Sequence, residues 1–171
     1  NFLEAHGVST QLWGTGAFKS VEDLLAEVVS GETQLFAHDG ALRRAVSSVA
    51  IDVVCTTADG STHRLIESKQ VLSGGRERVR DSWGAVGEKM LPDEDPLQAA
   101  LRGLVEELEI SDPAKLTQLH TTNEERPSLS YPGLIAHYTT HRFSAELSPD
   151  QFRSEGFVEV QGDKTTYFEW S

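Results

Sequence analysis

The chain has 171 residues, with 27 acidic against 15 basic side chains and a formal charge of -12. That length fits one domain with an extension, and so acidic a chain is poorly suited to coating the phosphates of a nucleic-acid duplex. No apolar run approaches the roughly 18 residues of a membrane-spanning helix. The single Cys55 excludes an intramolecular disulfide and a cysteine-based zinc cage, which points to the cytoplasm or another reducing compartment. A chain that begins at Asn1 says nothing of targeting.

In chain order, Ser20 followed by Glu22 and Asp23 forms an N-terminal cap, and Val21, Leu24, Leu25, Val28 and Val29 keep helical spacing until Gly31. Ala45 to Thr56 is rich in Val, Ile and Ala. It meets the turn Ala58-Asp59-Gly60-Ser61 and resumes as His63 to Val71, a predicted hairpin. Asp95 as cap, Pro96 at the first helical position and Gln98 three residues after the cap predict a helix from Pro96 to Leu108. Leu116 to Thr121 and Leu134 to Phe143 read as strands separated by a polar loop. Ser148 to Gln151 caps a short helix ending at Gly156, and Phe157 to Val160 with Thr165 to Trp170 form a last hairpin. The expected fold class is α+β, with residues 1–44 as an N-terminal helical extension packed on a domain of residues 45–171.

Chemistry concentrates between Trp83 and Ile110. On the predicted helix Arg102 and Glu106 are four apart and share a face, and Glu107 lies about 100° around from Glu106. With Glu94 before the cap, these carboxylates suit a hard cation such as Mg²⁺ or Mn²⁺, which takes oxygen ligands and keeps waters for a phosphate substrate. The same acids are also what a solvated helix end looks like. Lys69, Arg76, Arg78 and Arg80 form a basic cluster in an otherwise acidic chain. The alternation of its arginines puts them on one face of an extended backbone, suited to gripping phosphates, and the same cluster is also what a solvated loop balancing the acidic surface looks like. His137 and His141 are about 13 Å apart on a strand, too far to share a metal. No nucleophile elbow, zinc-protease helix or P-loop appears.

Residues Glu88 to Ile110 resemble the box of the Nudix hydrolase superfamily, G-x5-E-x7-R-E-U-x-E-E-x-G-U, with U an aliphatic residue. Six of nine specified positions match: Glu94, Arg102, Leu104, Glu106, Glu107 and Ile110. Three depart, with Glu88 at the first glycine, Gly103 at the glutamate after the arginine, and Glu109 at the late glycine. Trp83 to Gly87 is similar to the W-x-x-P-G lead-in, with Val86 at the proline.

The resemblance implies an α/β/α sandwich with mixed and antiparallel sheets. It implies hydrolysis of a phosphoanhydride in a nucleoside diphosphate linked to another moiety, with Glu106 and Glu107 as metal ligands. The carboxylate absent at Gly103 is then supplied by Glu88, or by Glu124 or Glu125 of the Thr122–Gly133 loop, as the group that assists the attacking water. Arg76, Arg78, Arg80 and Tyr131 are the expected substrate contacts, and Glu94 and Arg102 a structural ion pair. The partner is a nucleotide-type small molecule, with a second copy of the chain or another protein as a further partner. The competing reading is a non-catalytic Nudix-like module that binds a nucleotide or a protein, which Gly103 favours.

Overall fold

Ser20 caps the first long helix in the way its sequence requires. The computed structural model describes residues 2–79 and 84–171, so Arg80 of the basic cluster and Trp83 of the lead-in lie outside the described residues. The chain divides into two compact units. One holds residues 1–48, 89–94 and 121–140, and the other residues 49–88, 95–120 and 141–171.

In the first unit a single helical turn, α1 (Phe2–Ala5), precedes α2 (Val21–Ser30). Ser20 Oγ accepts the Asp23 N–H, and the Asp23 carboxylate accepts the Ser20 N–H at 2.8 Å, a reciprocal cap that satisfies two otherwise orphaned donors. Gly31 ends the helix at φ 82°, and a Cβ there would overlap Pro92 Cγ, so conformation and close approach both require glycine. Strand β1 (Gln34–His38) pairs antiparallel with the start of β2 (Ala41–Thr56) across an Asp39-Gly40 turn whose two φ angles are positive. The segment 1–44 therefore carries β1 and the beginning of β2 as well as helix. Leu3, Val8, Trp13, Leu24, Leu42, Tyr131 and Leu134 form one buried apolar cluster here.

In the second unit β2 continues and pairs antiparallel with β3 (Thr62–Val71), the predicted hairpin. A two-residue strand, β4 (Glu77–Arg78), pairs with the end of β3, and β5 (Val86–Lys89) pairs with β2. Helix α3 (Pro96–Leu108) begins as predicted, with the Asp95 carboxylate accepting the Leu97 N–H, and it buries Ala99, Ala100, Gly103, Leu104 and Leu108. Strand β6 (Lys115–Pro127), whose residues from 121 on belong to the first unit, runs six residues beyond its predicted end, so Glu124, Glu125 and Arg126 lie on a strand and not in a loop. Its polar stretch is exposed on both faces and carries no alternation to announce it.

Strand β7 (Ile135–Leu147) follows, and the helix expected after Ser148 is a single 3₁₀ turn over Pro149–Gln151, well short of Gly156. Strands β8 (Phe157–Gln161) and β9 (Lys164–Trp170) form the last hairpin. The described strands follow the order β6-β7-β2-β3-β9-β8. Cys55 is buried in β2, where burial pushes its thiol pKa up, as befits a small core residue rather than a nucleophile. No described helix is long and apolar enough to cross a membrane.

Candidate active site

The box helix α3 lies against β5 at its one glycine. An ideal Cβ on Gly103 would stand 3.2 Å from Glu88 Cβ and 3.3 Å from Val86 Cγ1. The absence of a side chain at 103, which costs a helix interior about 1 kcal/mol relative to alanine, thus makes room for the side chain at 88. One residue earlier, Arg102 Nη1 sits 3.4 Å from Glu88 Oε1 and 3.3 Å from Glu106 Oε2. A single guanidinium nitrogen therefore gathers one carboxylate from the strand and one from the helix. Glu106 is 48% exposed at its side chain and Glu107 is half-buried, so both are within reach of solvent ions.

No three acidic, histidine or cysteine side chains among the described residues are grouped closely enough to enclose a metal ion by themselves. Mg²⁺ does not need such a cage, since it is usually held by one or two carboxylates with waters and substrate phosphates completing its shell. The adjacent, accessible oxygen donors Glu106 and Glu107 fit that requirement.

The helix end explains another box position. Glu109 adopts φ 59°, its N–H bonds to Val105 O at 3.0 Å, and the Ile110 N–H bonds to Leu104 O at 3.1 Å. This is the left-handed exit that glycine usually takes, here occupied by a glutamate whose carboxylate accepts from Arg153 at 3.1 Å.

Glu94, the first acid of the box, belongs to the first unit. Its carboxylate accepts the Leu91 N–H at 2.8 Å while its own N–H reaches Leu91 O at 3.2 Å, closing a tight turn through Asp93 at φ 58°. The turn borders a cavity of about 180 Å³ that Glu32, Gln34 and Ser47 also line.

The remaining expected residues fall in both units. Arg76 and Arg78 are exposed, with Glu77 between them drawn to Lys69 at 2.7 Å. Glu124 pairs with Arg126 at 3.4 Å. Glu125 is held by Arg43 at 2.6 Å and by His137 at 3.0 Å, and the His137 ring also meets Phe36. Tyr131 is 0% exposed: its ring lies 5.1 Å from that of Trp13 and under Arg44, and its hydroxyl donates to Glu27. No face of that ring is open to a nucleobase.

Glu27 itself escapes notice in the sequence, although a carboxylate three residues after Leu24 on the buried stripe of α2 was the available signal. Burial pushes its pKa up, but hydrogen bonds from Lys19 and Thr33 and the charge of Lys89 outweigh that and hold it at about 2.

Comparison with known proteins bears on this arrangement. The family described as NUDIX domain matches residues 48–166. No curated protein matches the chain. Among solved structures, a MutT/nudix family protein from Enterococcus faecalis is similar at 16% identity and a TM-score of 0.50, over 88% of this chain and 50% of that one. The Escherichia coli dihydroneopterin triphosphate pyrophosphohydrolase is similar at 19% identity and 0.49, over 72% and 78%. The NUDIX domain of Shewanella oneidensis NrtR, complexed with ADP ribose, is similar at 13% and 0.45, over 88% and 82%. With the family match spanning most of the chain, its strands and helices in the arrangement of the Nudix α/β/α sandwich, and box acids on α3, the chain belongs to the Nudix family.

Proposed function

We propose that the chain is a Nudix-type hydrolase that cleaves a phosphoanhydride of a nucleoside diphosphate linked to another moiety, with its water-activating carboxylate moved from the helix to the facing strand. The observation that carries this reading is the contact between Glu88 and the Gly103 position. Glutamate and glycine have exchanged places relative to the box that this stretch resembles, and the two positions face each other, so a carboxylate stays beside the same helix surface.

Glu106 and Glu107 are the residues to hold Mg²⁺ or Mn²⁺. The bound cation would supply charge stabilisation at the phosphoryl oxygens and acidity to a water. Glu88 takes the proton of the attacking water on a carboxylate oxygen as the oxygen bonds to phosphorus and the bridging P–O bond breaks. Arg102 orients Glu88 through their ion pair. Arg76 and Arg78, both exposed, are the cations to neutralise the second phosphate. Glu124 and Glu125 remain secondary candidates for the base, and both are engaged with cations.

A second reading rests on Arg102: a guanidinium that already neutralises Glu88 and Glu106 suits a module that binds a nucleotide without turning it over. Assay of a panel of nucleoside diphosphate derivatives with Mg²⁺ separates the two. Turnover lost in Glu88→Gln, with the melting temperature kept, supports the hydrolase. Nucleotide binding without turnover in the unaltered protein supports the module.

A further inference from the structure

A buried ion cluster in the first unit plays no part in the proposed chemistry. Among the described residues, five side chains converge on the Glu27 carboxylate, which is 7% exposed. Lys19 Nζ at 2.6 Å, Tyr131 OH at 3.0 Å and Lys89 Nζ at 3.2 Å reach Oε1. Thr33 Oγ1 at 2.7 Å and Arg44 Nη2 at 3.0 Å reach Oε2.

Four of these partners lie in the stretches 1–48 and 121–140 that make up most of the unit, and Lys89 alone begins the six-residue segment 89–94. The Lys89 ammonium is also 3.1 Å from Glu32 Oε2. Beyond it the Met90 N–H bonds to Ser47 O at 2.9 Å, Pro92 packs on Gly31, and the Leu91–Glu94 turn closes on itself. The Glu27 carboxylate is buried while the Lys89 side chain is 31% exposed, so this contact ties a partly exposed ammonium to a carboxylate held away from water.

We infer that Glu27 is a positioning residue: through Lys89 it fixes the segment 89–94 and so sets where the Glu94 carboxylate stands. The positioning is independent of the hydrolase reading above and is measurable without catalysis. The N-terminal helix then serves as a brace for one acid of the box.

The test compares Lys89→Met, which keeps the stem and removes the ammonium, with Lys89→Arg and Lys19→Met. Lys19→Met takes a different cation from the same carboxylate. Amide hydrogen exchange at Leu91, whose N–H is held by Glu94, reports the turn. Lys89→Met is expected to speed Leu91 exchange at least tenfold. Lys89→Arg restores it, and Lys19→Met leaves it as it is. If Lys89→Met does not fold, Glu27→Asp, which withdraws the charge by one methylene, is expected to give the same rise in exchange. Unchanged Leu91 exchange in the variant that folds, or an equal rise in Lys19→Met, overturns the inference.

Discussion

Glu88 Cβ stands 3.2 Å from the point that a Cβ on Gly103 would occupy, so the two positions share space that suits one of them bearing a side chain. A glutamate introduced at 103 gains helix propensity, but its Cβ crowds both Glu88 and Val86. Gly103→Glu alone should therefore stabilise less than the roughly 1 kcal/mol that propensity allows, or destabilise. Combined with Glu88→Gly, which removes one of the two neighbours, it should recover part of that loss. A double-mutant cycle by chemical denaturation is expected to show a favourable coupling of about 1 kcal/mol or more between the two changes. Additive effects would mean that the backbone relaxes around both side chains and that the exchange of residues has no steric basis. Activity in the double variant at the level of the parent would show that either position can present the carboxylate.

What was legible in the sequence follows from where the physical signal is local. Helices α2 and α3 announce themselves through caps, proline at the first turn and apolar spacing, and the hairpins through their turn residues. Strand β1 carries such a signal in Asp39-Gly40, but the residues flanking that turn do not alternate cleanly. The far half of β6 carried none, being polar on both faces. At the candidate site, spacing puts Glu106 and Glu107 side by side near the end of α3, and their reading as metal ligands comes from the family resemblance. The contact of Glu88 with Gly103 was not legible, because it joins a strand to a helix through tertiary packing. Tyr131 looked like a loop aromatic available to a base, and only the fold shows its hydroxyl spent on Glu27.

The metal reading turns on the two adjacent acids of α3. Glu106→Gln with Glu107→Gln keeps the side-chain shape and removes both charges, so calorimetry should find Mg²⁺ or Mn²⁺ affinity reduced by about tenfold or more. Arg102→Met should act in the opposite direction, because it removes a cation that now occupies the space between Glu88 and Glu106. Unchanged divalent affinity in the double Gln variant would return these acids to the role of a solvated helix end.

Glu109 offers a test of the box's late glycine. Its φ of 59° is strained for a residue with a Cβ, and glycine removes the strain at some cost in unfolded-state entropy. Glu109→Gly should raise stability by about 0.5 to 1 kcal/mol, since the ion pair it surrenders, with Arg153, is exposed and worth little. A net loss in denaturant unfolding would show that the Arg153 contact contributes more than an ordinary surface pair.

The last prediction concerns acid stability and follows from Glu27. Its carboxyl titrates at about 2 in the folded chain against an ordinary value of 4.5, so the folded state favours the charged form. The sign follows from linkage: below the ordinary value the unfolded chain takes up the proton first, so each step down in pH favours unfolding until the folded carboxyl is protonated as well. The stabilisation is fully present above about pH 4.5 and is lost as the pH falls to about 2. A shift of this size corresponds to a loss on the order of 3 kcal/mol. Glu27→Gln keeps the shape and cannot titrate, while leaving Lys19, Arg44 and Lys89 with no negative partner at its carboxamide. Denaturant unfolding from pH 7 to pH 2 should show the parent well above the variant at neutral pH, with the gap narrowing across the window from 4.5 to 2. A gap that stays constant through that window would mean that Glu27 is not held in its charged form by the cations around it.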